Sequence, residues 1–500
     1  MQMLHCPSSR LLFLISIVLS LSHHLNAYPS PSTTPWRRQI DGNTLSFNYC
    51  PAAPWPTGEG YPITSHLPDA DLQAALEEIS PSNIESYIAD LVSFGTRHTL
   101  SPQNGSSTYG IGAARDYIAK TMRTFASASN GRMTITVPTY IQPADSSRIL
   151  SDVRISNVIA TLHGTETPER VYVVSGHYDS RCSDPNDYVC LAPGADDDAS
   201  GVAVSMELAR IMATRTPKST LVFAAVAGEE QNLYGANFLA QTYKNASVNV
   251  AGMFTNDIIG SSTGPDGTND PHTIRLFAQG PPAASIEGAA RAASRLSVGG
   301  ENDTPARELG RFIIENAQNV YTGMQTIALI YRADRYLRGG DHLPFLRAGY
   351  LSSIRFTEPI EDYRHQHQNV RVDNTTGDQY GDLPQFLDYD FIVRAARVNL
   401  AALWSLSQAP AVPANVTIDT SALTSNSSFR WLPPSTPEPA LAGYEVVWRP
   451  TTSPQWTHAI PVGLMQAATV PLSKDDVVFG VRAVSKDGYA SPAAFAGFPG

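Results

Sequence analysis

Residues 220–226, TLVFAAV, and residues 171–175, VYVVS, are apolar at nearly every position rather than at alternate ones. A strand with this pattern is covered on both faces, because successive side chains point to opposite sides of a sheet. Helical repeats alternate with these short runs along the chain, as in SGVAVSMELARIMA at 200–213. The alternation predicts an α/β protein, a three-layer α/β/α sandwich around a mostly parallel mixed sheet.

The periodicity changes at both ends of this alternating region. Residues 69–126 have helical periodicity, and a long helical stretch near 386–406 ends the alternation. A Pro/Ala-rich linker follows at 409–413, and short strand-like runs occupy 414–500. Such spacing predicts a C-terminal all-β sandwich. The runs SSFRWLPP, GYEVVWRP and VFGVRAVSKDGYASP resemble a fibronectin type III module.

The first residues predict an export signal. Arg10 precedes the apolar run LLFLISIVL, which is too short to span a bilayer as a helix, and the small residue Ala27 suits signal peptidase cleavage. A buried amphipathic helix or an uncleaved anchor are the alternatives. We expect a signal peptide at 1–27, an N-terminal extension at 28–68, and a secreted, extracellular protein without a membrane span. Arg37 and Arg38 mark either a removed propeptide or an ordinary surface pair.

After removal of the signal, the cysteines are Cys50, Cys182 and Cys190. In an oxidising compartment Cys182 and Cys190 are expected to form a disulfide, which leaves Cys50 single or intermolecular. Three reduced structural thiols are the alternative. Export also makes glycosylation at Asn-x-Ser/Thr triplets possible. These triplets begin at Asn104, Asn245, Asn302, Asn374, Asn415 and Asn426.

The net charge excludes one class of partner. The 500 residues carry a formal charge of −11 without a basic stripe, so the chain lacks the electrostatic footprint of a nucleic-acid-binding protein. The acidity indicates solubility and little else. The sequence does not indicate an oligomeric state.

Five short polar segments stand where predicted strands end, and in open α/β sheets that edge is where sites are built. Taken singly, each has a structural explanation, such as a loop histidine, an acidic turn with an N-cap, or a surface glutamate pair. The segments are GHYDS at 176–180, PGADDDASG at 193–201, GEEQNLYG at 228–235, FTNDIIG at 254–260 and GGDHLPF at 339–345.

Together these segments point to a metal centre. Two histidines and several carboxylates, without thiolates, form a ligand set suited to zinc and its neighbours. In GHYDS, Asp179 is close enough in sequence to hold the second ring nitrogen of His177. In GEEQ, one glutamate can bind a metal while its neighbour acts as a general base. Three ligand carboxylates against two divalent ions leave one positive charge, which a hydroxide would neutralise.

The order and the residues of the five segments resemble those of the secreted dizinc aminopeptidase family. Its members are zinc metallopeptidases related to bacterial leucyl aminopeptidases and glutamate carboxypeptidase. The resemblance covers about residues 80–405. The resemblance implies that residues 69–408 form a zinc peptidase domain that binds two Zn²⁺ per chain. It implies the following roles: His177 and Asp257 bind one zinc, Glu230 and His342 bind the other, Asp197 bridges both, Glu229 is the general base, and Asp179 orients His177. It also implies a cis peptide bond after Asp197.

Two assignments stay open. His365 and His367 in DYRHQHQN do not align with a family segment, and the alternation of the two histidines favours a surface strand. The residue that polarises the substrate carbonyl is one of Tyr331, Tyr336 and Tyr363.

The expected function is aminopeptidase action on peptide or protein substrates through a metal-activated water. A carboxypeptidase or dipeptidase on the same scaffold is the alternative within peptidases. A non-catalytic binding protein that works through its C-terminal sandwich, and a single-zinc transferase similar to glutaminyl cyclases, are the alternatives from other classes.

Overall fold

The computed structural model describes residues 58–104, 108–434 and 436–500. The predicted signal peptide, the Arg37–Arg38 pair, Cys50 and most of the N-terminal extension lie outside the described residues.

Ten α-helices are described. They are α1 (Ala70–Glu77), α2 (Pro81–Ser93), α3 (Gly110–Ser127), α4 (Gly201–Met212), α5 (Tyr234–Asn245), α6 (Ala284–Glu287), α7 (Ala289–Ser297), α8 (Pro305–Ala317), α9 (His342–Ala348) and α10 (Tyr389–Gln408). In this described part of the chain, no helix combines the length and the hydrophobicity that a membrane span requires.

The described residues also form twenty strands. They are β1 (Tyr61–Pro62), β2 (Met133–Thr136), β3 (Thr139–Gln142), β4 (Val153–Ser156), β5 (Val158–Leu162), β6 (Thr167–His177), β7 (Ser219–Val226), β8 (Asn249–Asn256), β9 (Thr273–Ala278), β10 (Thr326–Ile330), β11 (Ser353–Thr357), β12 (Arg371–Val372), β13 (Gln379–Tyr380), β14 (Ala414–Ile418), β15 (Ser427–Leu432), β16 (Leu441–Pro450), β17 (His458–Gly463), β18 (Ala467–Val470), β19 (Val477–Ser485) and β20 (Ala494–Phe495).

The central sheet has eight strands in the order β10-β9-β11-β8-β6-β7-β5-β2. Strands β7, β6, β8 and β11 are neighbours and run parallel, whereas β5 and β2 add antiparallel pairings at one edge. Because the four central strands are parallel, their carboxyl ends meet at one edge of the sheet. The predicted mixed α/β sheet is confirmed.

Both faces of this sheet are covered by helices. In β7, Leu221, Phe223 and Ala225 belong to a core shared with α4, α8 and α10, whereas Val222 and Ala224 face a second core formed with α5 and α9. Side chains at successive positions thus enter different hydrophobic layers. This is the physical reason for the continuous apolar run in the sequence, and it confirms the three-layer prediction.

The C-terminal region consists of antiparallel sheets. A five-stranded sheet has the order β1-β17-β16-β19-β20, and a three-stranded sheet has the order β14-β15-β18. Side chains from both sheets share one core, which includes Trp431, Trp448 and Phe479. The predicted C-terminal all-β region is confirmed. Strand β1, from before the helical region, pairs with β17, which the sequence did not indicate.

Polar contacts join the C-terminal sheets to the α/β region. Arg170 in β6 forms a buried ion pair with Glu438, with Nη1 and Oε1 2.6 Å apart. Trp404 in α10 donates through Nε1 to the hydroxyl of Tyr489 at 3.0 Å, and that hydroxyl donates to the carboxylate of Asp69, the N-cap of α1. One tyrosine hydroxyl therefore connects the C-terminal sheets to two helices.

We predict that Tyr489→Phe lowers the free energy of unfolding by about 1–3 kcal/mol, because the indole N–H of Trp404 then stays buried without an acceptor. Urea-induced unfolding measures the change. Tyr336→Phe is the matched control, since the Tyr336 side chain is 75% exposed and should change stability little. Equal stability of the two variants would contradict the role given to this hydroxyl.

Candidate metal centre

The carboxylate of Asp197 lies between two histidines at the carboxyl edge of the central sheet. Asp197 belongs to a buried turn that lies between β6 and α4 and directly precedes α4. Its Oδ1 is 3.0 Å from Nε2 of His177, the last residue of β6, and its Oδ2 is 2.9 Å from Nε2 of His367. One carboxylate thus directs its two oxygens to two different imidazoles.

Each oxygen of Asp197 belongs to a group of three potential metal ligands. One group contains His177, Asp197 and Asp257, and the other contains Asp197, Glu230 and His367. Within each group the ligand atoms lie within 4.8 Å of one another. Nε2 of His177 is 3.8 Å from Oδ1 of Asp257, and Nε2 of His367 is 2.8 Å from Oε1 of Glu230.

These residues fit a pair of divalent metal ions. Nε2 of His177 and Oε1 of Glu230 are buried and each lies within 3.0 Å of a polar atom, but neither makes a hydrogen bond of suitable geometry, which is costly unless another group satisfies them. Imidazole nitrogens and carboxylate oxygens are ligands that zinc accepts. A further group, Cys182, Asp187 and Cys190, has the spacing of a metal site, but its two cysteines are joined to each other as a disulfide.

His342 does not lie in either group, and this differs from the role that the resemblance implied. His342 is the first residue of α9, and its Nε2 lies 2.6 Å from the backbone oxygen of Ala333 and 3.7 Å from Oδ2 of Asp334. Its side chain is therefore held by the 331–341 loop. Where the sequence predicted His342 beside Glu230, the structure has His367.

The expectation that His367 lies on a surface strand was wrong. Residues 363–367 form a turn, and the backbone of His367 has a φ of 50°, in the left-handed region. The turn directs His367 to the cluster, while its neighbour His365 stacks on Phe386, with ring centroids 3.6 Å apart. The segment follows β11, whose carboxyl end lies at the site edge, and that position was a signal for a ligand.

Asp179 connects the strand of His177 to the glutamate pair. Its carboxylate accepts hydrogen bonds from the backbone N–H groups of Glu229 at 3.2 Å and Glu230 at 3.1 Å. Nδ1 of His177 lies 3.1 Å from the backbone oxygen of Asp179 and 3.6 Å from its Oδ1. The structure thus brings Asp179 to the second nitrogen of His177, chiefly through its carbonyl.

The three consecutive aspartates have different partners. Asp196 accepts the N–H of Gly260 at 2.6 Å, which ties the turn to the segment after Asp257. Asp198 accepts the N–H of His177 at 2.9 Å and the N–H of Gly201 at 3.0 Å. The peptide bond between Asp197 and Asp198 is cis, as the resemblance implied. Only Asp197 faces both histidines.

The carboxylates and histidines shift one another's pKa values. Burial lowers the pKa of His177, but the carboxylates of Asp179 and Asp197 raise it to a net value well above the usual one. Burial also lowers the pKa of His367, but Glu230 and Asp197 raise it to about 9. For Asp197, burial raises the pKa, and the two histidines bring it well below the usual value. The two histidines and the carboxylate between them are therefore strongly coupled electrostatically.

Glu229 has the environment of a base rather than of a surface carboxylate. Burial raises the pKa of its carboxyl well above the usual value, and the nearby carboxylates of Asp257 and Glu230 raise it further, against an opposing effect of His177. Its backbone N–H is fixed by Asp179. Glu229 comes shortly after the end of β7, so it lies at the same edge of the sheet as the two ligand groups.

Two arginines at the site were missed from the sequence. Arg181 pairs through Nε with Oε2 of Glu230 at 2.9 Å, and its Nη2 lies 2.6 Å from Nδ1 of His367. Arg355 in β11 pairs with Oδ1 of Asp257 at 2.8 Å. An arginine inside the apolar run of β11 was a signal for a buried partner.

The other predicted residues belong to neither ligand group. The Cys182–Cys190 disulfide is present, directly after Arg181. Asn302 is half-buried, and its side-chain oxygen accepts from Arg307, whereas the other five glycosylation candidates are exposed. Tyr331 accepts from Arg311 at 3.4 Å, and Tyr336 and Tyr363 are 75% and 62% exposed. None of these tyrosines has an assigned contact with the cluster in the described structure.

The sequence and the structure were compared with known proteins. The model of peptidase family M28 matches residues 157–384. A probable zinc metalloprotease of Pyricularia oryzae is 57% identical over 470 residues, which cover 93% of this chain and 92% of the relative. A probable zinc metalloprotease of Leptosphaeria maculans is 58% identical over 441 residues, which cover 88% of this chain and all of the relative.

Among solved structures, an aminopeptidase from Aneurinibacillus sp. strain AM-1 is 15% identical and has a TM-score of 0.45, and the match covers 67% of this chain and 96% of that chain. LapB from Legionella pneumophila is 18% identical with a TM-score of 0.45, over 69% of this chain and 77% of that chain. The long matches to the fungal relatives, together with the family model over the region that carries the cluster, show that this chain is a zinc metallopeptidase that belongs to peptidase family M28.

Proposed function

We propose that the protein is a secreted aminopeptidase that uses two zinc ions. The observation that carries the proposal is the position of Asp197, whose two carboxylate oxygens lie at 3.0 Å from His177 and 2.9 Å from His367. A single-zinc transferase would need only one of these groups. The division of one carboxylate between two ligand groups supports two metal ions.

In this proposal His177 and Asp257 hold one zinc, Glu230 and His367 hold the other, and Asp197 is shared. Bound zinc supplies Lewis acidity, which polarises a carbonyl and lowers the pKa of water. The protein contributes a buried, fixed set of ligands. Asp179 and Asp198 hold the backbone N–H groups of Glu230 and His177, so that these ligands do not need to reorganise when the metal binds.

Glu229 moves the proton in the proposed reaction. Its carboxylate accepts a proton from the attacking water, whose oxygen forms a bond to the carbonyl carbon of the peptide. It then delivers the proton to the amine nitrogen as the C–N bond breaks. The backbone N–H of Glu229 is held by the carboxylate of Asp179, which fixes the base directly beside the ligand Glu230.

Asp341 supports the recognition of a free N-terminus. It is fully buried, and neither of its carboxylate oxygens has a hydrogen-bond partner. Burial raises its pKa to about 8, with a contribution from the negative charge of Asp257. In this proposal the α-ammonium group of a bound peptide would supply a cation that stabilises this carboxyl group as an anion, and an α-carboxylate would not.

The proposed extracellular location rests on the predicted signal peptide and on the disulfide. The bond between Cys182 and Cys190 favours an oxidising compartment over the cytosol. The side chains of Asn104, Asn245, Asn374, Asn415 and Asn426 are exposed, as glycosylation of these residues would require.

We predict that Glu229→Gln retains two zinc ions and loses peptidase activity, with a decrease in kcat of roughly 10²–10⁴-fold. The amide keeps the size of the side chain but cannot accept the proton. Zinc analysis and peptide hydrolysis are measured on the same preparation. Glu230→Gln is the matched variant at the adjacent position, and it should lose zinc because it changes a ligand. Normal activity of Glu229→Gln would remove Glu229 from the mechanism.

We predict that His367→Ala binds one zinc ion less than the unchanged protein, because the Glu230 group then keeps no histidine. His365→Ala, two positions earlier, is the control and should keep both ions, since His365 stacks on Phe386 outside the groups. Zinc per chain is measured after dialysis. Full zinc content in His367→Ala, together with zinc loss in His342→Ala, would return the ligand role to His342.

We predict that a peptide with a free N-terminus has a kcat/KM at least about tenfold higher than its N-acetylated form, which corresponds to about 1.4 kcal/mol. The physical reason is that acetylation removes the cation that Asp341 would bind in this proposal. C-terminal amidation of the same peptide is the control and should have little effect. If amidation rather than acetylation abolished hydrolysis, the protein would be a carboxypeptidase.

A further inference from the structure

The turn that carries Asp197 is held by two buried charged residues that lie far away in the sequence. Residues 195–200 form a short π-helical turn directly before α4, but within it the backbone of Asp197 and Asp198 has non-helical φ and ψ angles. A turn of this kind leaves backbone N–H and C=O groups to be satisfied by side chains. The partners of these groups decide the direction of the Asp197 carboxylate.

Asp382 satisfies the N–H groups of the turn. Its Oδ1 accepts from the backbone N–H of Asp196 at 2.7 Å, and its Oδ2 accepts from the backbone N–H of Asp197 at 2.8 Å. The two oxygens of one carboxylate thus hold two consecutive N–H groups. Asp382 is buried, with 6% of its surface exposed. Asp382 therefore contacts the backbone of the turn that contains Asp197. It belongs to neither ligand group.

Arg97 satisfies C=O groups of the same turn. Its Nη2 donates to the backbone oxygen of Gly194 at 2.8 Å, and its Nη1 donates to the backbone oxygen of Pro193. Its Nε donates to the backbone oxygen of Tyr178 at 2.8 Å, one residue after His177. Arg97 is fully buried, so these hydrogen bonds replace all of its hydration.

The first bend of the turn is at Gly194, where a larger side chain would not fit. Gly194 has a φ of 54°, and a Cβ atom there would lie 2.5 Å from Cβ of Ser180 and 2.7 Å from Nη2 of Arg97. The guanidinium of Arg97 thus packs directly against the backbone of the turn. Arg97 donates hydrogen bonds to the C=O groups of the turn and Asp382 accepts hydrogen bonds from its N–H groups, so the two side chains hold the turn from both ends.

We propose that Arg97 and Asp382 are positioning residues that direct the two carboxylate oxygens of Asp197 toward His177 and His367, where this ligand would be shared by two metal ions. The inference rests on the two-zinc site of the proposed function. Hydrogen bonds to charged groups are about twice as strong as neutral ones, which suits a turn whose carboxylate must stay between two positive centres. Neither residue touches the ligand atoms; each acts through the backbone of the turn.

The first test is Asp382→Asn, which keeps the shape of the side chain but places an amide NH₂ against one backbone N–H. Asp378→Asn, four positions earlier, is the matched control, because its side chain is 44% exposed and its nearest cation, Arg364, lies at 3.9 Å. Zinc affinity is measured by competition with a chelator. We expect Asp382→Asn to weaken zinc binding by about 10–100-fold. The control should bind zinc as the unchanged protein does.

A spectroscopic readout separates positioning from a merely structural role. In the Co²⁺-loaded protein, the visible absorption of Asp382→Asn should change in position or intensity, since the geometry of the shared ligand changes. The control should keep the original spectrum. Unchanged zinc affinity and an unchanged cobalt spectrum in Asp382→Asn would overturn the inference.

Arg97→Lys provides a second variant if Asp382→Asn does not fold. Lysine keeps the charge but cannot reach the three carbonyl groups of Pro193, Gly194 and Tyr178 together, so zinc binding should weaken here too. Normal zinc affinity in Arg97→Lys would count against the inference. Both tests measure metal binding and not peptide cleavage. If the protein without substitutions bound two zinc ions but cleaved no peptide, the proposed function would be refuted and the positioning role of Arg97 and Asp382 would stand.

Discussion

The structure around the site depends on one buried carboxylate that serves two positive centres. A carboxylate is expensive to bury, and Asp197 is 5% exposed. Its burial is compensated because each oxygen meets a different imidazole, one from the end of β6 and one from the turn after β11. Those two segments are not neighbours in the sheet, since β8 lies between β6 and β11. The position of Asp197 in the turn before α4 is what brings them to one centre.

The need to hold Asp197 and the other ligands in fixed positions explains why the site contains more buried charged residues than metal ligands. Asp198 holds the backbone of His177, Asp179 holds the backbone of both glutamates, and Asp196 holds the backbone after Asp257. Each of these carboxylates accepts hydrogen bonds from backbone N–H groups at or near a ligand residue. Buried arginines accompany these carboxylates: Arg97 interacts electrostatically with Asp179 and Asp198, and Arg355 pairs with the ligand Asp257. The ligands are thus fixed through their main chains, and the side chains have few alternatives.

The C-terminal sheets are connected to the same framework. Glu438 pairs with Arg170 in β6, the strand that ends at His177, and Tyr489 contacts α10. Residues before the helical region contribute β1 to the C-terminal sheet. The β region therefore packs against the strand and helix that support the site, rather than standing apart on its linker. Its ionic contact with β6 was not visible in the sequence, because the two partners are separated by 268 positions.

The sequence by itself determined the layered α/β fold, since a strand covered on both faces must be apolar at every position, as residues 220–226 are. It also determined which segments end at the site edge, because the order of parallel strands places their carboxyl ends together. Tertiary structure alone decided which histidine meets Glu230. His342 and His367 both follow polar segments near β11, but a turn with a left-handed residue directs His367 to the cluster, and the start of α9 directs His342 to the 331–341 loop. Such directions depend on backbone bends and on partners far along the chain, such as Asp382 and Arg97, which no local pattern specifies.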